Sequence, residues 1–217
     1  MTIICVYYVA MRDPADIYTK KGTPMLVIGS RVAFLFYFLF SLWTIRSNHF
    51  PHSNLHFVWF IYLVTLYFVA EKLYSLFMAQ GIDLTFAFPL LLFIYCLSLG
   101  GLLLGHQERL PILNRAEHFA IFILLAYIVW IFFTKYLPQE VWKDHPYYTA
   151  LLVLSVTALA GVCNEIIELI IDQLFDTSYI GEHLDTPLDL LMNTLGSGIF
   201  LSVRLILGSA EHKRIAD

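Results

Sequence analysis

The sequence predicts an all-α fold, a polytopic bundle of about six transmembrane helices, and three observations carry that expectation. Hydrophobic residues make up 59% of the 217 and charged residues only 14%, well above the ~45–50% apolar usage of soluble domains. Mean hydropathy is +0.72. The apolar residues also gather into long runs, each near the ~20 residues that a bilayer-crossing helix needs. With short polar breaks between them, these runs occupy nearly the whole chain, so residues 1–217 read as a single membrane domain.

Taken in order, residues 1–24 form a cytoplasmic or interfacial segment. Thr2 to Met11 is apolar but has neither a basic region before it nor a small-residue cleavage site after it, which argues against a removable signal. Asp13-Pro14 then reads as a helix cap with proline at the first helical position, opening a short amphipathic piece that ends at Lys20, Lys21 and Gly22. The spans follow at about 25–45, 56–79, 84–105, 113–134, 147–175 and 185–207. Each break has turn chemistry: Asn48 to Asn54 around Pro51, Gln80-Gly81-Ile82-Asp83, His106 to Pro111, Pro138 to Pro146, and the acidic Asp176 to His183.

Lysine and arginine in the loops set the orientation. With the N-terminus inside, Arg12, Lys20, Lys21, Lys135, Lys143, Lys213 and Arg214 collect on the inner side, against Arg46 and Arg109 outside. Both termini are therefore expected in the cytoplasm. Cys5, Cys96 and Cys163 lie inside apolar stretches without paired spacing, which indicates neither a disulfide framework nor a zinc site. The net charge of −4 is made of individually placed groups rather than a field, and nothing points to nucleic acid.

Ionisable groups within spans are costly, so each is a functional candidate when it faces the bundle interior. On span five, Glu165, Glu168 and Asp172 recur at helical spacing and share one stripe. Span six opens with Asp185, Asp189 and Asn193 on one stripe, continued by Gly196, where a neighbouring helix can approach closely. Span four opens with Arg115 and His118. Helical parity brings these helix ends to the same side of the membrane, the outer one in the expected orientation. At 1.5 Å per residue, Glu168 lies ~10 Å from its helix end and Asp189 ~6 Å from the start of its own, nearer the interface than the bilayer centre.

Carboxylates gathered there cannot all stay ionised in a low dielectric without compensation. Three compensators fit: a divalent cation held by Glu165, Glu168, Asp185 and Asp189 with the imidazole of His118, a bidentate pairing with Arg115 while other acids hold protons, or water in an open vestibule. Glu117, Asp172 and Glu182 read as ordinary solvated charges. His49, His52, His56 and His106 share the outer side but lie in loops or at helix ends, a weak metal signal. Arg31 and Arg204 have stems long enough to snorkel or to pair internally.

The same residues resemble a known family. Asn114-Arg115-Ala116-Glu117-His118-Phe119, Asn164-Glu165-Ile166-Ile167-Glu168 and Asp185-Thr186-Pro187-Leu188-Asp189, followed by Asn193 and Gly196, are similar to the YjdF-like family of small bacterial inner-membrane proteins. Its motifs have the form D-R-x-x-H-F, Y-E-x-x-E-W and D-T-Q-x-D. The block is also similar to VanZ-like proteins, with D-K-x-x-H, E-x-x-Q and D-x-x-x-N-x-x-G. The likeness covers mainly residues 105–200. Asn114 stands where those families carry aspartate, Leu169 where one carries tryptophan, and Pro187 where one carries glutamine. The resemblance implies a multi-pass inner-membrane protein in which Arg115, His118, Glu165, Glu168, Asp185, Asp189 and Asn193 act as one unit, and it brings no substrate with it. A slighter echo sets Arg31, Glu71 and Asp83 of spans one to three in the order of Arg115, Glu165 and Asp185, as an inverted repeat would.

Two functions of different classes fit these residues. In the first, a carboxylate-held metal at the outer leaflet binds or hydrolyses a lipid or lipid-linked envelope substrate. Glu165, Glu168, Asp185, Asp189 and His118 are then ligands, His118 and Glu168 carry the chemistry, and Arg115 and Asn193 bind the substrate. In the second, a small transporter or channel uses the same acids for protons or cations. A polar path continuing to a second site around Arg31, Glu71 and Lys72 would favour transport, and a blind pocket would favour lipid chemistry.

Overall fold

The computed structural model describes residues 24–46, 53–103, 111–175 and 184–216, with the side chains of 24, 44, 45, 53–56, 59, 63, 98–103, 111 and 209–216 outside the description. The expected interfacial segment with its Asp13-Pro14 cap, Cys5, the loop residues His49, His52, His106 and Glu182, and the side chain of His56 therefore lie outside the described residues. Within them the chain is helical: α1 Pro24–Arg46, α2 Ser53–Ala79, α3 Ala87–Leu103, α4 Pro111–Tyr136, α5 Pro146–Phe175 and α6 Asp185–Ala216. A π-helical turn, Glu140–Asp144, precedes α5. The helices α1, α2, α4, α5 and α6 are long and apolar enough to cross a membrane, and α3 contains a shorter apolar stretch, Ala87–Leu97.

The late start of α3 has a local cause. Gly81 takes φ 76°, a left-handed conformation that suits glycine, and closes α2 with Ile82 N–H on the Phe77 carbonyl at 2.9 Å and Gly81 N–H on that of Met78 at 3.0 Å. Ile82 to Thr85 are then buried, so part of the expected span 84–105 is spent on a tucked turn. There the Asp83 carboxylate accepts from Thr85 N–H at 2.8 Å and from the Thr85 hydroxyl. Lys135 and Tyr136, at the end of α4, bond to Gln80 and fix this turn to that helix.

The most extensive packing is α6 on α4, followed by α6 on α5 and α4 on α5, while α1 rests on α3. Contacts of α3 with α4 and of α2 with α5 join the two halves. The helices α5 and α6 meet, and Gly196 sits at a close helix contact, as its place on the stripe led one to expect. A Cβ on Gly196 would stand 2.4 Å from the Phe119 carbonyl oxygen, so the close approach is to α4 rather than α5. Around Gly198 there is open space. On α5, Gly161 makes the room that α6 needs: a Cβ there would meet the Asn193 amide at 2.9 Å. Large apolar side chains such as Phe36, Phe68, Leu159 and Ile206 are exposed on the outside of the bundle, the surface that lipid covers.

Far from the acidic stripes, Arg31 of α1 donates from Nε and Nη2 to the two oxygens of Glu71 on α2, both at 2.7 Å. Tyr67 donates to the same carboxylate at 2.8 Å, and the guanidinium lies over the rings of Tyr74 and Phe88. Arg204 lies over the ring of Trp130.

Candidate functional site

Burial follows the stripes. On α5 the buried positions Thr149, Val153, Thr157, Gly161, Glu165 and Glu168 recur every three or four residues, one face of the helix turned to α4 and α6. On α6 the buried positions among the described residues are Asp189, Asn193, Gly196, Ser197, Phe200 and Leu201. Asp189 is 2% exposed, Glu165 7% and Glu168 8%, so these acids are enclosed by protein rather than snorkelling to the surface.

The three helix ends meet around His118. Its Nδ1 is 3.0 Å from Asn193 Oδ1, an amide oxygen that can only accept, so Nδ1 carries the proton. The lone pair is then on Nε2, which stands 3.6 Å from Asp189 Oδ2. Asn114 Nδ2 donates to that same Asp189 oxygen at 2.9 Å. One ligand atom from each of His118, Glu165 and Asp189 fits within a 4.8 Å span. Glu165 Oε1 and Asp189 Oδ1 are both buried without a hydrogen-bond partner. A buried acceptor left unpaired costs roughly 1–3 kcal/mol, more when charged. A cation or protons among these atoms would relieve that cost.

The other expected members of the set divide off. Asp185, in the first turn of α6, takes Arg115 Nη2 at 3.8 Å, an acid where the helix dipole favours one. Glu168 accepts from Asn164 Nδ2 at 2.8 Å, and Asn164 Oδ1 in turn accepts from the Tyr62 hydroxyl at 2.9 Å. The structure thus places three groups side by side: the trio His118, Glu165 and Asp189, the pair Arg115 and Asp185, and the chain Tyr62, Asn164 and Glu168. Among the residues in or against these groups, Asn114, Asn164, Tyr62 and Gly161 have no expected site role in the sequence. Asn114 and Asn164 stood inside the quoted motifs, whereas Tyr62 is on α2, outside the block the motifs cover.

The pairing in the first half does not repeat that in the second. Arg31 bonds to Glu71, whereas Arg115 meets Asp185, and Asp83 is engaged in the turn before α3. The expected echo is therefore one of residue order and not of contacts.

A cavity of about 430 Å³ lies between α2, α3, α4 and α5. At one end its wall carries Tyr62, Asn114, Glu117, His118, Asn164 and Glu168. Glu117, expected to be a plain solvated charge, is thus part of a cavity wall. Toward the other end the lining is Leu73, Phe77, Leu84, Phe88, Leu124 and Ile128, with Tyr74 as the polar exception.

Residues 29–210 match the family model described as "Predicted membrane protein (DUF2238)". No curated protein and no solved structure matches the chain.

Proposed function

For this chain, which belongs to the DUF2238 family of predicted membrane proteins, we propose that His118, Glu165 and Asp189 hold a divalent cation near one face of the membrane and that the site binds or hydrolyses a lipid or lipid-linked substrate there. The observation that carries the proposal is the meeting of an imidazole nitrogen and two carboxylates within 4.8 Å, with an unpartnered buried oxygen on each acid. A mixed nitrogen and oxygen donor set suits a divalent transition metal, and a cation so held would act as Lewis acid toward an ester or phosphate oxygen.

The chain's own residues supply the rest. Asn193 fixes the ring of His118 through Nδ1, as the outer partner of a metal-bound imidazole does, and Asn114 orients Asp189. Arg115 is near enough to the trio to meet an anionic head group, and its Nε has no partner. Glu168 stands outside the trio on the cavity wall, where a carboxylate can take or give a proton.

The motif likeness to YjdF-like and VanZ-like proteins supports treating these residues as one unit. The lysine and arginine distribution supports an inner-membrane orientation with both termini cytoplasmic, which sets the site at the outer leaflet. The transport reading asks for a polar path to the opposite face. Among the described residues the cavity becomes apolar in that direction, and Arg31 and Glu71 are bonded to each other. Lipid chemistry is the better-supported reading.

Thermal unfolding of the purified full chain in detergent, with Mn²⁺ or Zn²⁺ and then with chelator, tests the proposal. A cation present at about 100 times its Kd stabilises by about 2.7 kcal/mol, which at this chain length corresponds to a Tm rise of roughly 5–10 °C. Glu165→Gln and Asp189→Asn should lose the rise, and Glu168→Gln should keep it. A parent protein whose Tm ignores both metal and chelator sinks the metal reading.

A further inference from the structure

We infer that the cavity between α2, α3, α4 and α5 houses one fatty acyl chain of an anionic phospholipid, its head group at the His118 end. The inference deepens the proposed function by naming the substrate class, and it rests on that reading for the role of the head group. Shape, polarity and placement point to it independently.

Apart from Tyr74, the cavity's polar groups gather at one end and the remainder is apolar, the distribution of an amphiphile with a single head. On α4 the lining runs from Asn114 to Ile128, ~21 Å at 1.5 Å per residue, of which the apolar part, Ile121 to Ile128, is ~10 Å. The apolar part thus fits within ~15 Å, the half of the ~30 Å hydrocarbon core that one leaflet occupies. At about 430 Å³ the cavity is at the small end for ligand pockets, suited to one chain rather than two. A polyprenyl chain long enough to cross both leaflets would exceed it. His118 belongs to both the cavity wall and the trio, so a head group at the polar end lies against the proposed cation.

The other clusters carry less. Arg31 and Glu71 are bonded to one another, and Tyr67 donates to the same carboxylate.

The test is photolabelling of the full chain reconstituted in phosphatidylcholine vesicles doped with phosphatidic acid that carries a diazirine near the end of one acyl chain. The inference expects crosslinks on the buried cavity-wall residues Leu84, Phe88 or Leu124. In parallel, Leu125→Trp and Ala160→Phe, each filling the cavity from a different helix, should lose those crosslinks and keep the parent's response to Mn²⁺. Lipid-facing Leu159 and Ile206 report ordinary bilayer contact and should be labelled in every variant. Crosslinks in the parent restricted to Leu159 and Ile206 overturn the inference even if both variants fail to fold, because the parent map alone decides it. A polyprenyl phosphate that competes the inward crosslinks away, where excess unlabelled phosphatidic acid does not, overturns the acyl assignment. If the inward crosslinks form but metal leaves Tm unchanged, the cation proposal falls and the acyl-chain site stands.

Discussion

The backbone of Gly196 on α6 passes so close to Phe119 on α4 that a Cβ would sit 2.4 Å from the Phe119 carbonyl oxygen. That neighbour is main chain and cannot swing aside. Gly196→Ala should therefore cost about 1–3 kcal/mol or more by overpacking. It should also displace His118, which immediately precedes Phe119 on α4. At Gly198, with nothing within 4 Å, alanine should be neutral or stabilising by up to ~1 kcal/mol, since glycine is a weak helix former. Paired thermal melts of the two variants check this, and equal losses at both positions would contradict it.

Asn193 should act on the cation site without touching the ion. Asn193→Leu removes the acceptor that fixes His118 Nδ1, 3.0 Å away, and outer-shell changes of this kind cost about 10–100-fold in metal affinity. Thermal-shift titration with Mn²⁺ reads the change. Unaltered affinity would place His118 outside the coordination sphere.

The bidentate pair Arg31 and Glu71 should be energetically coupled. A double-mutant cycle with Arg31→Met and Glu71→Gln is expected to give an interaction of about 0.5–3 kcal/mol, the range for residues sharing a hydrogen-bond network. Additive losses would mean that each side chain finds other partners once its mate is gone.

Orientation is testable from either end. In a chain whose cysteines Cys5, Cys96 and Cys163 are replaced by serine, Ser178→Cys should react with a membrane-impermeant reagent in intact cells and Ala216→Cys should not. The reverse pattern would invert the bundle and move the site to the inner leaflet.

Much of the architecture is legible in the residues because a bilayer imposes a length. The expected span 147–175 is realised as Pro146–Phe175, and 113–134 as Pro111–Tyr136. The acidic stripes were legible too, since an ionisable residue within an apolar run must turn inward. Azimuth is harder to read for the apolar residues. Val153 is buried while Leu152 is exposed, yet lipid and protein interior accept both equally, so hydrophobicity does not tell them apart. For the same reason Gly196 signalled a close contact without naming its partner, and Gly198 resembled it while facing open space. Tyr62 was hidden for another reason. Its bond to Asn164 crosses 102 residues of chain and has no local pattern.

The pair that ties α1 to α2 bears on how the chain enters its membrane. Arg31 lies ~10 Å into α1 and Glu71 ~12 Å from the end of α2, so each, alone in hydrocarbon, would face the ~2.5–3.5 kcal/mol that insertion measurements assign to a charged residue at a helix centre. The partners are separated by 40 residues. During synthesis the guanidinium therefore emerges well before the carboxylate that neutralises it. Release of α1 into lipid as a solitary helix is disfavoured over its retention beside the translocon until α2 is made, and the two then partition as one hairpin.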